Sequence, residues 1–128
     1  YGCGSGILGI SALKLGARKV TAIDIDPQAI EATTINALKN NTEKNIFVYD
    51  EIIDSSEKYD VIVANILAEP LIMLAPLLTK MLKKNGIIGI SGILISQVKL
   101  IENAYKSFVT FNSSSHHNEW SFLCGSKK

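Results

Sequence analysis

Short runs of β-branched residues alternate along this chain with segments of helical spacing, the pattern that βαβ units around a parallel sheet require. A glycine loop at 2–6 leads into a helix predicted over 7–15, with Gly16 as its left-handed stop. A strand is expected at 19–24. Asp26 is placed to cap a second helix whose first residue, Pro27, sits where a missing N–H costs nothing. That helix should run to about Asn40, with Ile30, Ala37 and Leu38 facing the core. A short strand at 46–49 and a polar loop at 50–58 follow. The next strand, 60–64, is continuous and apolar, as expected when both faces are covered.

Residues 67–82 read as helix, bent or divided by Pro70 and Pro76. Asn85-Gly86 makes a turn into a strand at 87–91, and a helix is expected over 96–105. Strands at 108–112 and 119–125, joined by the polar link 113–118, should close an antiparallel hairpin. The expected fold is α/β, a doubly wound, mostly parallel sheet with a C-terminal antiparallel hairpin. The chain opens on Tyr1-Gly2-Cys3-Gly4 and not on methionine. It is therefore expected to be a piece of a longer protein, cut where a first strand would deliver the backbone into the glycine loop.

Composition narrows the function classes. Thirteen basic and twelve acidic side chains leave a net charge of +1, so an electrostatic nucleic-acid binder is not expected. No apolar run reaches the roughly 18 residues of a membrane span; the densest stretch, 61–78, is interrupted by Asn65, Glu69, Pro70 and Pro76. Cys3 and Cys124 lie at opposite ends without a C-x-x-C pair, which reads as reduced thiols in a cytoplasmic protein. No cluster of Cys, His or carboxylate has metal-ligand spacing, and His116 and His117 read as solvated loop residues. Trp120 reads as hairpin core, the alternative being a place at the border of an acceptor pocket.

The glycine loop carries the first chemical signal. Gly2, Gly4 and Gly6 let the backbone turn tightly and approach a ligand without a Cβ in the way. The following helix aims its free N–H groups and positive end at that ligand. Gly4-Ser5-Gly6-Ile7-Leu8-Gly9 matches the dinucleotide fingerprint, with Asp24 twenty residues beyond Gly4. Gly2 extends the loop to the G-x-G-x-G form usual for S-adenosyl-L-methionine. Both ligands remain open on the loop alone.

Asp24, at the carboxyl edge of its strand, is the candidate for the ribose hydroxyls. Asp26 competes, but the helix cap suits it better. Ile25 is placed to pack on the adenine face. Asp50 would either bind the adenine amino group or be a solvated loop residue. Asn65 follows the buried run Val61-Ile62-Val63-Ala64. Its amide either ties down a turn or accepts a hydrogen bond from a substrate amine and turns the nitrogen lone pair towards a methyl donor. Nucleobase amino-methyltransferases follow such an asparagine with two prolines and an aromatic residue. Ile66-Leu67 disfavours that class.

Further motifs appear in order: Gly2-Cys-Gly-Ser-Gly-Ile-Leu8, Ala12-Leu-Lys-Leu-Gly-Ala17, Asp24-Ile-Asp-Pro-Gln-Ala29, Asn65-Ile-Leu-Ala-Glu-Pro-Leu71, Ser91-Gly-Ile-Leu94 and Glu119-Trp120. On these the chain resembles the PrmA family of ribosomal protein methyltransferases, class I enzymes that use S-adenosyl-L-methionine and release S-adenosyl-L-homocysteine. The resemblance implies Gly2 in the cofactor loop, Asp24 on the ribose and Asn65 at the reacting end as catalytic residue. Gly4, Gly6 and Ile25 complete the expected cofactor site, and Ser91 with Gly92 should shape the acceptor pocket. It also implies a large-subunit ribosomal protein, protein eleven, as substrate, with lysine side chains and the N-terminal α-amine as acceptors. Recognition would pass through an N-terminal domain absent from this chain. Asn118 departs from the family, which often has an acidic residue there.

The absent first strand would lie mid-sheet, between the strands at 19–24 and 60–64, so the segment alone is expected to fold poorly. The whole reading requires the Asn65 amide to face the same crevice as the glycine turn and Asp24. Two alternatives stand beside it: an NAD-dependent oxidoreductase, and a catalytically silent module that only binds a partner.

Overall fold

The computed structural model describes residues 1–128, which divide into two units, Tyr1–Ile53 and Asp54–Lys128. In the first unit the elements are α1 (Ile7–Lys14), β1 (Val20–Ile23), α2 (Pro27–Lys39) and β2 (Ile46–Tyr49). Asp26 sits in extended conformation and its carboxylate accepts from Gln28 N at 2.9 Å, so α2 begins at Pro27. β1 and β2 pair in parallel, from Val20 opposite Ile46 to Ile23 opposite Tyr49. Ile10, Ala22, Ala37 and Ile46 form the core of this unit. A Cβ on Gly9 would lie 3.1 Å from Val20 Cγ1 and 3.3 Å from Ile46 Cδ1, so the glycine lets α1 press against the strands.

Leu38 does not face that core. It is 64% exposed, because the buried stripe of α2 runs through Thr33 and Ala37, one turn apart, and Leu38 lies one residue round the helix from it.

The second unit contains β3 (Tyr59–Asn65), α3 (Ala68–Met81), β4 (Leu82–Leu94), a 3₁₀ turn at Ile95–Gln97, α4 (Val98–Tyr105), β5 (Val109–His117) and β6 (Trp120–Lys127). Its sheet has the order β3-β4-β6-β5, with β3 parallel to β4 and the other pairs antiparallel. The strands of the chain thus form two ladders, and the fold is α/β with parallel pairing first and an antiparallel hairpin last.

α3 buries Ala68, Leu71, Ala75 and Leu78, a stripe at helical spacing. It is one helix, neither divided nor stopped by its prolines. Pro70 is its third residue, where no intrahelical N–H bond is due, and Pro76 deprives only the carbonyl of Ile72, which is itself partly exposed to water. Tyr105 is fully buried: its hydroxyl donates to Leu71 O at 2.9 Å and its ring meets Phe111 edge-on at 6.0 Å. That burial pushes the phenol's pKa well above its usual value.

Two expectations for this unit are corrected. The strand at 60–64 is not covered on both faces. Ala64 is buried, but Val61 and Val63 are 55% and 40% exposed, as are Ile87 and Phe122 in part. Residues pointing to opposite sides of a strand meet different surroundings, and only one side here meets the buried core. The polar stretch 113–118 is also not a loop. Ser113 to His117 continue β5, paired from Ser113 opposite Cys124 to His117 opposite Trp120, and the turn contracts to Asn118 and Glu119. Backbone pairing with β6 satisfies these residues whatever their side chains, and Asn118 takes φ 54°, which asparagine tolerates.

Candidate functional site

The glycine loop is built onto the end of β1. Gly2 N and Cys3 N both donate to Ile23 O, at 2.8 and 3.0 Å, and Gly6 N donates to Cys3 O at 2.7 Å. Gly2, Gly4 and Gly6 all have positive φ, at 73°, 53° and 83°, so each of the three expected positions uses glycine's freedom. Asp24 braces the loop: its Oδ2 accepts from Gly4 N at 2.9 Å and its Oδ1 from Asp26 N at 3.1 Å. A carboxylate has about four lone-pair positions, so roughly half its accepting capacity is still available. Ile25, beside it, is 81% exposed. Asp50 is exposed just beyond β2.

Two residues of α2 that the sequence did not single out support this loop. Thr33, fully buried, donates to Gly4 O at 3.0 Å and lies 3.2 Å from Cys3 Sγ; Asn36 Nδ2 donates to Ser5 O at 2.8 Å. A Cβ on Gly6 would come within 2.9 Å of Thr33 Cγ2. A Cβ on Gly4 would meet nothing within 4 Å. The loop is therefore packed from behind and open at Gly4. Threonine and asparagine three residues apart on one helix are too ordinary a signal to read from sequence.

In the second unit, Asn65 ends β3 opposite Ser91 of β4, at the carboxyl end of two parallel strands. Beyond Ser91 the register between β4 and β6 shifts: Ile90 faces Leu123 and Ile93 faces Ser121, one residue more on β4 than on β6. Gly92 lies in this bulge with φ 80°. Bulges of this kind re-aim side chains beside functional sites. A Cβ on Gly92 would stand 2.6 Å from Ile66 O and 2.9 Å from Asn65 Oδ1, so the glycine is what lets the asparagine amide settle where it does. Asn65, Ile66, Leu67, Ser91, Gly92 and Trp120 line an open cleft of about 510 Å³.

Ser91 and Gly92 thus shape the cleft that contains Asn65, as expected. Trp120 does not belong to the hairpin core. It is 47% exposed and forms part of the cleft, because along β6 it shares the open face with Phe122 while the buried Ser121 and Leu123 alternate with them on the other face. His116 is exposed but not merely solvated, since its Nδ1 lies 2.8 Å from the hydroxyl of buried Ser121.

The family model described as Ribosomal protein L11 methyltransferase (PrmA) matches residues 1–128. The chain belongs to the PrmA family. It is 46% identical over 129 residues to a ribosomal protein L11 methyltransferase of a Shewanella species, covering 100% of this chain and 44% of that protein. The chain thus spans less than half the length of this curated PrmA relative. Among solved structures, the ribosomal protein L11 methylase of Lactobacillus delbrueckii subsp. bulgaricus superposes with TM-score 0.91 at 37% identity, over 99% of this chain and 67% of that one. An RNA methyltransferase from Salinibacter ruber, in complex with S-adenosyl-L-homocysteine, shares the fold alone. It has TM-score 0.75 and 16% identity over 98% of this chain and 76% of that one.

Proposed function

We propose that this chain is the catalytic part of an S-adenosyl-L-methionine-dependent methyltransferase that modifies amines of a large-subunit ribosomal protein. The observation that carries the reading is the exposed amide of Asn65, set in an open cleft at the carboxyl ends of β3 and β4. Ligands of open α/β sheets bind at such strand ends. The relatives' names support the ribosomal protein substrate, and a cytoplasmic location is the one we assign with it.

The first unit has the chemistry to hold the nucleoside part of the cofactor. Gly4 presents bare backbone to open space, and Asp24 keeps accepting capacity for two ribose hydroxyls. Ile25 offers an exposed apolar face to the adenine. Gly2 and Gly6 shape the turn, and Asp50 is the remaining candidate for the adenine amino group. Bound there, the cofactor supplies a methyl group activated by a positively charged sulfur.

The second unit handles the acceptor. The Asn65 carbonyl oxygen accepts an N–H of the substrate amine, holding its lone pair in one direction; alignment of this kind is the main contribution a protein makes to such a transfer. A lysine amine of pKa about 10.4 is neutral roughly once in a few thousand molecules at pH 7. No acidic side chain lines the cleft to hold the amine protonated, and partial desolvation there lowers its pKa further. Lysine side chains and an N-terminal α-amine are the acceptors we assign.

Calorimetric titration of the full-length protein tests the cofactor half of this reading. S-adenosyl-L-homocysteine should bind in the micromolar range, NADH should not bind measurably, and Asp24→Ala should weaken the first by about 10-fold or more, the loss of charge-assisted hydrogen bonds. Binding of NADH in preference would return the glycine loop to the dinucleotide reading.

A further inference from the structure

We infer that the lysine-rich end of the second unit is a docking surface for the phosphate backbone of structured RNA, separate from the acceptor cleft. A net charge of +1 over the whole chain hides how the charges of this unit are sorted. Lys80, Lys83, Lys84, Lys106, Lys127 and Lys128 all lie where α3 and α4 end, β4 and β5 begin and β6 finishes. Lys58, just before β3, joins them. Lys99, near the start of α4, is the one lysine of the unit placed elsewhere.

Hydrogen bonds tie this end together. Lys58 Nζ donates to Lys80 O at 2.6 Å, Lys127 Nζ to Leu82 O at 2.9 Å, and Lys128 Nζ to Lys106 O. Each bond uses one of three ammonium N–H groups and removes none of the charge. It also holds the ammonium in place, so less side-chain freedom is lost when an anion arrives. Satisfying carbonyls at the ends of α3 and α4 accounts for these three lysines. It does not account for Lys83 and Lys84. From Tyr59 to Val61 β3 advances two residues while β4 advances five, from Leu82 to Ile87, so Lys83-Lys84-Asn85 loops out of the ladder. The excursion closes tightly: Asn85 takes φ 61°, and a Cβ on Gly86 would lie 2.9 Å from Lys83 O. Its effect is to project two exposed lysines from the strand end.

The carboxylates nearby are few. Asp60 meets Lys83 at 2.8 Å in an exposed pair, Glu57 accepts from the Tyr59 hydroxyl, and Asp54 accepts from Ser56. Glu102 lies one turn before Lys106 without pairing to it. Exposed pairs are weak and screened by salt, and Lys80, Lys84 and Lys106 are exposed with no carboxylate partner. Crowding like charges destabilises a fold, an effect that a polyanionic partner offsets.

Lysine is a point charge that suits phosphates and does not read base identity, so the surface recognises a backbone and not a sequence. A membrane surface fits less well. Basic segments that bind one lay down an apolar helix face, whereas α3 and α4 reach this end with Leu78, Met81 and Tyr105 buried in the protein. RNA is the polyanion that accompanies a ribosomal protein, and in this choice alone the inference rests on the substrate reading above. Tyr59 marks this end of β3 and Asn65 the cleft end, six residues on, a span of about 20 Å. RNA held here leaves the cleft free for a protein chain.

Fluorescence anisotropy with the full-length protein and a labelled short RNA duplex of mixed sequence tests this. The wild type should bind in roughly the micromolar range at about 50 mM salt, and affinity should fall on the order of 100-fold by about 200 mM, a log–log slope of about −4. Lys80→Gln/Lys84→Gln/Lys106→Gln should reduce that slope by about three and the low-salt affinity by about 10-fold or more, with the melting temperature and S-adenosyl-L-homocysteine affinity kept. Lys99→Gln, on the same helix as Lys106, should leave RNA binding unchanged.

A wild-type slope near zero, or equal RNA binding by the triple variant, would overturn the inference. So would tighter binding, through the same three lysines, of polyglutamate or of phosphatidylserine vesicles than of the duplex. Patch-dependent duplex binding by a protein that methylates no ribosomal protein would sink the substrate reading and leave this surface standing.

Discussion

Replacing Gly92 by alanine separates the geometry of the acceptor cleft from its composition, since no cleft-lining functional group is removed. Two costs follow from the structure. An L-residue at φ 80° pays for a left-handed conformation, roughly 1–2 kcal/mol. The added Cβ would also lie 2.6 Å from Ile66 O and 2.9 Å from both Ile66 N and Asn65 Oδ1. Comfortable carbon contacts lie near ~3.5–4.0 Å, so the neighbours must yield by about half an ångström or more. Overpacking of this kind costs about 1–3 kcal/mol. Together these predict a loss of about 2–5 kcal/mol, read as a fall in melting temperature by differential scanning calorimetry.

Because one atom to be displaced is the Asn65 carbonyl oxygen, turnover should fall further than folding alone accounts for. A misplacement of about 1 Å can cost about 100-fold in rate, so roughly 10-fold is expected for half that shift. Radiolabelled methyl transfer, at a temperature well below the melting transition and with saturating cofactor, measures it. Affinity for S-adenosyl-L-homocysteine should be unchanged. Wild-type turnover in a folded Gly92→Ala protein would refute the claim that this glycine sets the position of the amide.

Other substitutions probe the remaining parts. Gly4→Ala should cost only about 1 kcal/mol of backbone strain, since its Cβ meets no protein atom within 4 Å, yet it should weaken cofactor binding about 10-fold in calorimetry by filling that space. Thr33→Val removes the donor to Gly4 O and should destabilise by about 1–2 kcal/mol in chemical denaturation while loosening the loop. Tyr105→Phe removes the hydroxyl that donates to Leu71 O, at about 0.5–1.5 kcal/mol in the same assay. The pH dependence has a definite sign. Burial raises the Tyr105 pKa in the fold, so the unfolded chain ionises first, and stability should be lost as pH rises above about 10. Tyr105→Phe should remove that component; an unchanged alkaline profile would contradict it.

Local chemistry with one solution was legible in the sequence. Asp26-Pro27 fixed the start of α2, since a cap and a residue lacking an N–H fit together only there. The three alternate glycines were legible because three left-handed residues in one loop admit little else. Features decided by a partner strand or helix were not. Ser113 to His117 have loop composition and became strand because β6 pairs with them. Trp120 has the character of a core residue, but the alternation of β6 puts it on the open face with Phe122, opposite buried Ser121 and Leu123. Thr33 and Asn36 gained their roles only when α2 packed under the loop. Pro76 did not break α3; it strands one carbonyl, that of Ile72, a residue 36% exposed.

The role given to Asn65 is tested most directly by single-turnover methyl transfer with Asn65→Ala in the full-length protein, beside its affinity for S-adenosyl-L-homocysteine. Loss of the orienting acceptor should slow transfer by about 100-fold or more, with cofactor affinity kept within about threefold, as expected for alignment acting on the acceptor alone. Transfer at the wild-type rate, or a loss residing entirely in cofactor binding, would contradict the account.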